Sequence, residues 1–165
     1  MDSVSHDSET PAHGQQVITA CAFIHQRFDG VEKVFLAKRA ATKKFLPNVY
    51  ELPGGHIDFG EDVVAGLKRE INEEFNVNVA IGDPYAVFTY TNEIKGSQTI
   101  EVAYFAQLVD NPEAITLNPE DHSDSGWFAE DELDKATTPT KGIDDDEFVA
   151  VKKGFALLRG EQPSF

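Results

Sequence analysis

Glu70, Glu73 and Glu74 stand at i, i+3 and i+4 within the segment REINEEF. On a helix such positions are neighbours, with Cβ atoms about 5–6 Å apart. At ~6 Å and an effective dielectric near 20, each pair of carboxylates repels by roughly 3 kcal/mol. A cleft that holds all three ionised therefore calls for cations between them. Carboxylate oxygens suit Mg²⁺, which prefers octahedral oxygen coordination and retains several waters. Such an ion neutralises charge on a bound phosphate and lowers the pKa of a water beside it. A carboxylate left free of tight ligation can take that water's proton. Acids on a fully solvated helix repel by under about 1 kcal/mol per pair and need no ion. The helix alone leaves both readings open.

The neighbouring residues narrow the choice. Arg69 lies four residues before Glu73 and can pair with it, fixing its rotamer. Gly55 precedes the helix, and a residue without Cβ lets the backbone approach a ligand closely. Gly66 falls on the acidic side of the helix at a cost of about 1 kcal/mol against Ala, a cost that room for a ligand would explain. The whole stretch GHIDFGEDVVAGLKREINEEFNV, from Gly55 to Val77, resembles the Nudix box, G-x5-E-x7-R-E-U-x-E-E-x-G-U with U a bulky aliphatic. One position departs from it: the late glycine is Asn76. Helices often end in a left-handed residue, usually Gly and sometimes Asn, so the departure is conservative in backbone terms. The flanking ELPGG, Glu51 to Gly55, strengthens the match.

The resemblance implies Mg²⁺-dependent hydrolysis, with Mn²⁺ as a substitute, of the diphosphate linkage in a nucleoside diphosphate joined to another group. It implies Glu70, Glu73, Glu74 and the Gly55 carbonyl as metal ligands. The general base is then Glu70, Glu73 or a loop acid, with Glu70 favoured, while Glu61 and Arg69 support the catalytic acids. The family often sets a further metal-binding acid in a loop before an aromatic residue. In NPEDHSDSGW, residues 118–127, Asp124 is the first candidate and Glu120, otherwise a substrate contact, the second. An acidic surface loop is an equal reading. Arg39, Lys43 and Lys44 are candidates for contact with substrate phosphates, against ordinary surface charge. Phe88, Tyr90 and Trp127 can stack on a base, although aromatics at alternate strand positions more often fill a core. His122 is a candidate for contact with substrate, although a lone loop histidine is more often simply solvated. A modified nucleoside triphosphate is the first expectation for the substrate, and a nucleotide sugar or ADP-ribose the second. Two other readings share the fold. Isopentenyl diphosphate isomerase needs a catalytic cysteine, and the chain has only Cys21, in an apolar run that reads as core. A non-catalytic nucleotide-binding module often lacks acids that are all present here.

These residues need elements to hold them. Val64, Leu67, Ile71 and Phe75 form one apolar stripe, which predicts a helix over 61–75 with its acids on another face. Strands are predicted over 15–28, 34–38, 50–52, 77–81, 85–91, 99–109 and 124–130. Asp29-Gly30 marks a turn, and Gly54 and Gly55 read as a tight one. A short helix over 130–135 and a second amphipathic helix over 143–159 complete the list, with Asp144 to Glu147 in the latter's first turn. Residues 1–14 read as a disordered tail, and 15–165 as one domain. The class is α/β, a mixed sheet between helices, in agreement with the α/β/α sandwich of the Nudix family.

Composition sets the outer bounds. The formal net charge of −15 argues against a nucleic-acid polymer as partner. It permits a small nucleotide when divalent ions bridge acid to phosphate. No run of about twenty apolar residues suggests a membrane span. The polar start lacks the features of a secretory signal, which makes the cytoplasm the expected location. Oligomeric state, a homodimer included, has no signal in the sequence.

Overall fold

The computed structural model describes residues 9–163. Its strands are β1 (Gln16–Phe28), β2 (Val31–Arg39), β3 (Tyr50–Glu51), β4 (Gly54–His56), β5 (Val79–Asn92), β6 (Ser97–Leu108) and β7 (His122–Phe128). Its helices are α1 (Val63–Phe75) and α2 (Asp146–Leu158), with 3-10 turns at Pro112–Ala114 and Glu130–Ala136. The sheet runs β3-β2-β1-β6-β5, with β4 also on β1 and β7 on β2. β1 and β6 are parallel and the other pairs antiparallel, so the sheet is mixed.

β1 is apolar at both parities because both of its faces are covered. Ala20, Ala22 and Ile24, with Phe35 and Ala37 of β2, pack on Leu67, Ile71 and Phe75 of α1. Cys21 and Phe23, with Val34 and Leu36, pack on Phe148, Val151 and Phe155 of α2. Side chains alternate across a strand, so one strand serves two layers. This is the predicted α/β/α arrangement. Along one edge of β1 the partner changes, from β4 at Thr19–Cys21 to β2 at His25–Phe28. The sheet forks there, and the fork holds the cavity described below.

Most predicted elements fall within a few residues of their observed bounds. Asp29 and Gly30 both have positive φ, 52° and 80°, the signature of a tight hairpin turn. Asn76 ends α1 in the left-handed region, φ 53° and ψ 37°, and its N–H donates to the Asn72 carbonyl. Two expectations change. The strands read at 77–81 and 85–91 are one strand, β5, with register shifts around Pro84. Proline has no N–H for the ladder, so the strand bulges instead of ending. Gly54 and Gly55 are not a turn; they belong to β4, paired with Cys21 and Ala20. The need is space: a Cβ on Gly54 would lie 2.0 Å from the Ala20 carbonyl oxygen.

The N-terminal segment extends the fold. Within the expected 1–14 tail, the Ala12 N–H donates to the Lys95 carbonyl at 2.7 Å and the Gly14 N–H to Gly96 at 3.0 Å. Residues 1–8 lie outside the described residues. No helix among the described residues is long and apolar enough to cross a membrane.

Candidate active site

Asp62 caps α1 by accepting from the Ala65 N–H at 3.0 Å. Two turns in, Arg69 becomes the hub of the acidic face. Its Nε donates to Glu61 Oε2 at 2.7 Å and its Nη2 to Glu61 Oε1 at 3.0 Å. Its Nη1 donates to Glu70 Oε1 at 3.0 Å and to Glu73 Oε2 at 3.2 Å. Nη2 also donates to the His56 carbonyl at 3.2 Å, tying α1 to β4. The Glu61 bond, above all, makes Arg69 hold its proton more firmly than usual. Arg69 thus joins Glu61 to Glu70 and Glu73. Gly66 serves the same pair and not a ligand: a Cβ there would lie 2.6 Å from Glu61 Oε1.

Glu70, Glu73 and Glu74 all line one cavity of about 320 Å³ at the fork of the sheet, together with Gly55. A Cβ on Gly55 would lie 2.4 Å from Glu70 Oε2, so β4 and α1 meet there only because residue 55 has no side chain. The three acids are unequal. The side chain of Glu73 is 59% exposed and that of Glu74 17%. Burial, then the charges of Glu51 and Glu70, pushes the Glu74 carboxyl well above the usual range. His122, read as solvated, is buried. Its ring stacks on Phe75, its Nε2 lies 2.8 Å from Glu51 Oε2 and its Nδ1 lies 3.9 Å from Glu74 Oε2. Oxygen donors crowded around one cavity, one of them pressed to stay neutral, suit a hard divalent cation. Gly55, Glu70, Glu73 and Glu74 fit that role.

The loop after β6 closes this side. The Thr116 and Asn118 N–H groups donate to the Phe75 and Glu74 carbonyls, which the helix end leaves without partners. Asp121 and His122 N–H groups both donate to the Asn118 carbonyl, and the turn brings Asn118 and Asp121 to the cavity. Asp124 and Glu120 are not brought there. His122 pairs with Arg39 and Asp124 with Lys38, so Ser123 is an extra residue between them. Such a bulge changes which face follows. Asp124 is exposed, with the Tyr50 hydroxyl 3.5 Å away. Glu120 is exposed too, and its N–H donates to Asn118 Oδ1. Asp121, unmarked by sequence reasoning, takes the place expected of them and pairs with Lys43 at 3.1 Å.

Arg39 lines the cavity, with Nε on the Phe45 carbonyl at 3.0 Å and Nη1 3.4 Å from Glu51 Oε1. Lys43 lines it as well, whereas Lys44 borders an adjoining hollow with Phe45, Phe88 and Tyr90. The Phe45 and Tyr90 rings are nearly parallel, 9° apart in tilt and 6.0 Å between centroids. Trp127 takes no part; it packs on Phe28 and Phe35.

The cavity floor is a polar cluster that sequence reasoning missed. Burial raises the Glu51 carboxyl, but Arg39 and the His122 bond prevail and hold it at about 2. Burial, then Glu147, raises Glu101 to about 8. Glu147, read only as a first-turn acid, pairs with Lys141 at 2.6 Å and accepts the Leu52 N–H at 3.3 Å. Cys21, read as core, is buried yet also lines the cavity. One signal was available: Glu101 shares its strand parity with Thr99 and Ala103, both buried, so a charged residue points inward. Lys141 gave none.

The NUDIX domain model matches residues 16–150. The m7GpppN-mRNA hydrolase NUDT17 of Danio rerio is 33% identical over 79 residues, 48% of this chain and 25% of the relative. The Bos taurus NUDT17 is 34% identical over 74 residues, 45% of this chain and 24% of the relative. The chain thus spans about a quarter of the length of these curated relatives. Among solved structures, an Ap4A hydrolase from C. elegans superposes with a TM-score of 0.70 at 26% identity, covering 87% of this chain and 98% of the other. A MutT NUDIX hydrolase from Burkholderia pseudomallei has a TM-score of 0.62 at 24% identity, covering 84% and 98%, a likeness of fold.

Proposed function

The chain belongs to the NUDIX domain family, and from that premise we propose that it is a hydrolase of the diphosphate linkage in a nucleoside diphosphate joined to another group. The observation that carries this is the convergence of Glu70, Glu73, Glu74 and Gly55 on one cavity, with Arg69 holding two of the acids. Gly55, Glu70, Glu73 and Glu74 would hold Mg²⁺, which when bound neutralises phosphate charge and acidifies water. Arg39 and Lys43 orient the phosphate chain from the opposite wall. Phe45 and Tyr90 border the hollow that receives the base, where stacking is sequence-tolerant. Glu70 takes the proton of the attacking water. The Arg69 bond to its Oε1 orients the carboxylate for this task. Water adds to phosphorus, the anhydride P–O bond breaks, and the leaving phosphate carries off the electron pair.

A nucleoside triphosphate is the first substrate class, since the cavity and the hollow adjoin and share Arg39, Phe45 and Tyr90. Dinucleoside polyphosphates come next, suggested by the likeness to an Ap4A hydrolase. The test is phosphate or diphosphate release from a panel of canonical and oxidised nucleoside triphosphates, Ap4A, ADP-ribose and nucleotide sugars. Turnover that requires Mg²⁺ or Mn²⁺ supports the reading. Metal-independent nucleotide binding with no turnover of any compound would replace it with a binding module.

A further inference from the structure

On the cavity floor, apart from Arg69 and its acids, Cys21 Sγ and one carboxylate oxygen each of Glu101 and Glu147 lie within 4.8 Å of one another. β1, β6 and α2 contribute one residue apiece. Cys21 is a free thiol, 1% exposed, and Glu101 is 7% exposed. Glu101 Oε2 is buried and makes no hydrogen bond within 3.5 Å, although the Thr19 hydroxyl is near enough to lower its pKa. An unsatisfied buried acceptor costs about 1–3 kcal/mol, and hydrolysis as described uses none of these groups. Lys141 does not fill the gap. Its ammonium is engaged by the Tyr50 carbonyl at 2.8 Å and Glu147 Oε1 at 2.6 Å.

We propose that Cys21, Glu101 and Glu147 form a second cation site, separate from the helix acids, that takes a thiophilic divalent ion such as Zn²⁺. Thiolate is a soft ligand and selects against Mg²⁺. Three protein ligands with a fourth position open to the cavity match the coordination of accessible zinc sites. With Zn–S near 2.3 Å and Zn–O near 2.1 Å, tetrahedral ligands stand about 3.5 Å apart, so closure needs movements of about 1 Å.

Charge balance agrees. Before binding, the thiol and Glu101 carry protons and Glu147 pairs with Lys141, which leaves the cluster neutral. After binding, three anions face the ion and Lys141, and the sum is again zero. No net charge is buried in either state, so no ion is left without a counter-charge. The other groups facing the cluster do not alter the count: Glu51 is matched by Arg39, and Tyr90 stays neutral beside Glu101.

The test is Co²⁺ titration of the chelator-stripped full chain, read by the near-ultraviolet thiolate-to-cobalt band. Cys21 is the only cysteine, so any band reports it. The expected result is a saturable band at one ion per chain. Zn²⁺ abolishes it, about a hundredfold excess of Mg²⁺ does not, and the Glu73→Gln/Glu74→Gln variant retains it. Cys21→Ser loses the band, and Glu101→Gln weakens the affinity at least about tenfold, a change in line with loss of a ligand. Glu101→Gln keeps the side-chain shape and decides the matter should Cys21→Ser fold poorly. No band in the native chain, a band lost with the helix acids, or affinity unchanged in Glu101→Gln would overturn the site without touching the hydrolase reading.

Discussion

α1 and α2 send glutamates into the same cavity from opposite faces of one sheet, and the two sets meet different surroundings. On α1, Glu70 and Glu73 share the guanidinium of Arg69, and Glu73 reaches water. On α2, Glu147 is half-buried against one ammonium, beside Glu101 and Cys21. The chemical group is the same. Access to solvent and the number of fixed donors decide what it can do. In the proposed reading the rim binds and releases a hydrated ion with a substrate, whereas the charges of the floor are balanced by protons, by Arg39 and Lys141, or by a tightly held ion. The cavity therefore joins a working edge to an electrostatically balanced base.

The contrast breaks most visibly in turnover. Glu70→Gln removes the proposed proton acceptor and keeps its shape, so kcat should fall by about 10²–10⁴ with little change in thermal unfolding. Glu147→Gln should cost far less. Equal losses in a steady-state assay at saturating Mg²⁺ would erase the distinction between rim and floor.

Stability should show the opposite ranking. Lys141→Met leaves the half-buried Glu147 without its cation, a loss of up to about 3 kcal/mol by urea unfolding. Lys141→Met/Glu147→Leu should recover much of it, because removing both charges also removes their desolvation cost. Arg69→Met severs more bonds, yet the arginine side chain is 28% exposed and water takes over part of the loss. Its larger effect should be on kcat, about 10–100-fold, as for residues that orient metal ligands.

The acids of the floor should also titrate in opposite senses. Glu101 is raised from 4.5 to about 8, so its protonated form favours the fold. That stability is complete below pH 4.5 and is lost as pH rises through 8. Glu51 is lowered from 4.5 to about 2; its contribution is complete above pH 4.5 and is lost as pH falls toward 2. Glu101→Gln should match the native chain near pH 4 and exceed it above pH 8 by a few kcal/mol, at about 1.4 per pKa unit. Melting curves with chelator across this range check the sign. A native chain that gains stability on that variant's scale between pH 4 and 9 would contradict it.

How far the sequence reveals these regions follows from the range of their contacts. The α1 set is local. Glu61, Arg69, Glu70, Glu73 and Glu74 lie within four helical turns, and periodicity places them on one face without knowledge of the fold. Both helices and most strands are legible for the same reason. The floor joins Cys21, Glu51, Glu101, Lys141 and Glu147 from distant segments, and only strand pairing and the packing of α2 on the sheet make them neighbours. Asp124 shows the limit from the other side: the extra Ser123 in β7 turns it away from the cavity, and spacing alone cannot reveal a bulge.

The ends of the two helices give the smallest contrast and the cleanest one. α2 is followed by Gly160 at φ 81°, whereas α1 ends on Asn76 at φ 53°. Both need a left-handed residue to turn the chain, and an ordinary L-residue there costs about 1–2 kcal/mol. Asn tolerates the region better than most side chains but less well than Gly, so Asn76→Gly should stabilise by at most about 1 kcal/mol. Asn76→Val should lose about 1–2 kcal/mol, since a β-branched side chain fits that conformation worst. The position is exposed, so packing adds little to either value, and paired thermal melts isolate the backbone effect. The Asn118 N–H donates to the Glu74 carbonyl immediately before this turn. Asn76→Val should therefore also raise the Mg²⁺ concentration needed for half-maximal turnover, by loosening the helix end that carries Glu74. Asn76→Gly should leave that concentration unchanged, which separates a displaced acid from a mere loss of stability.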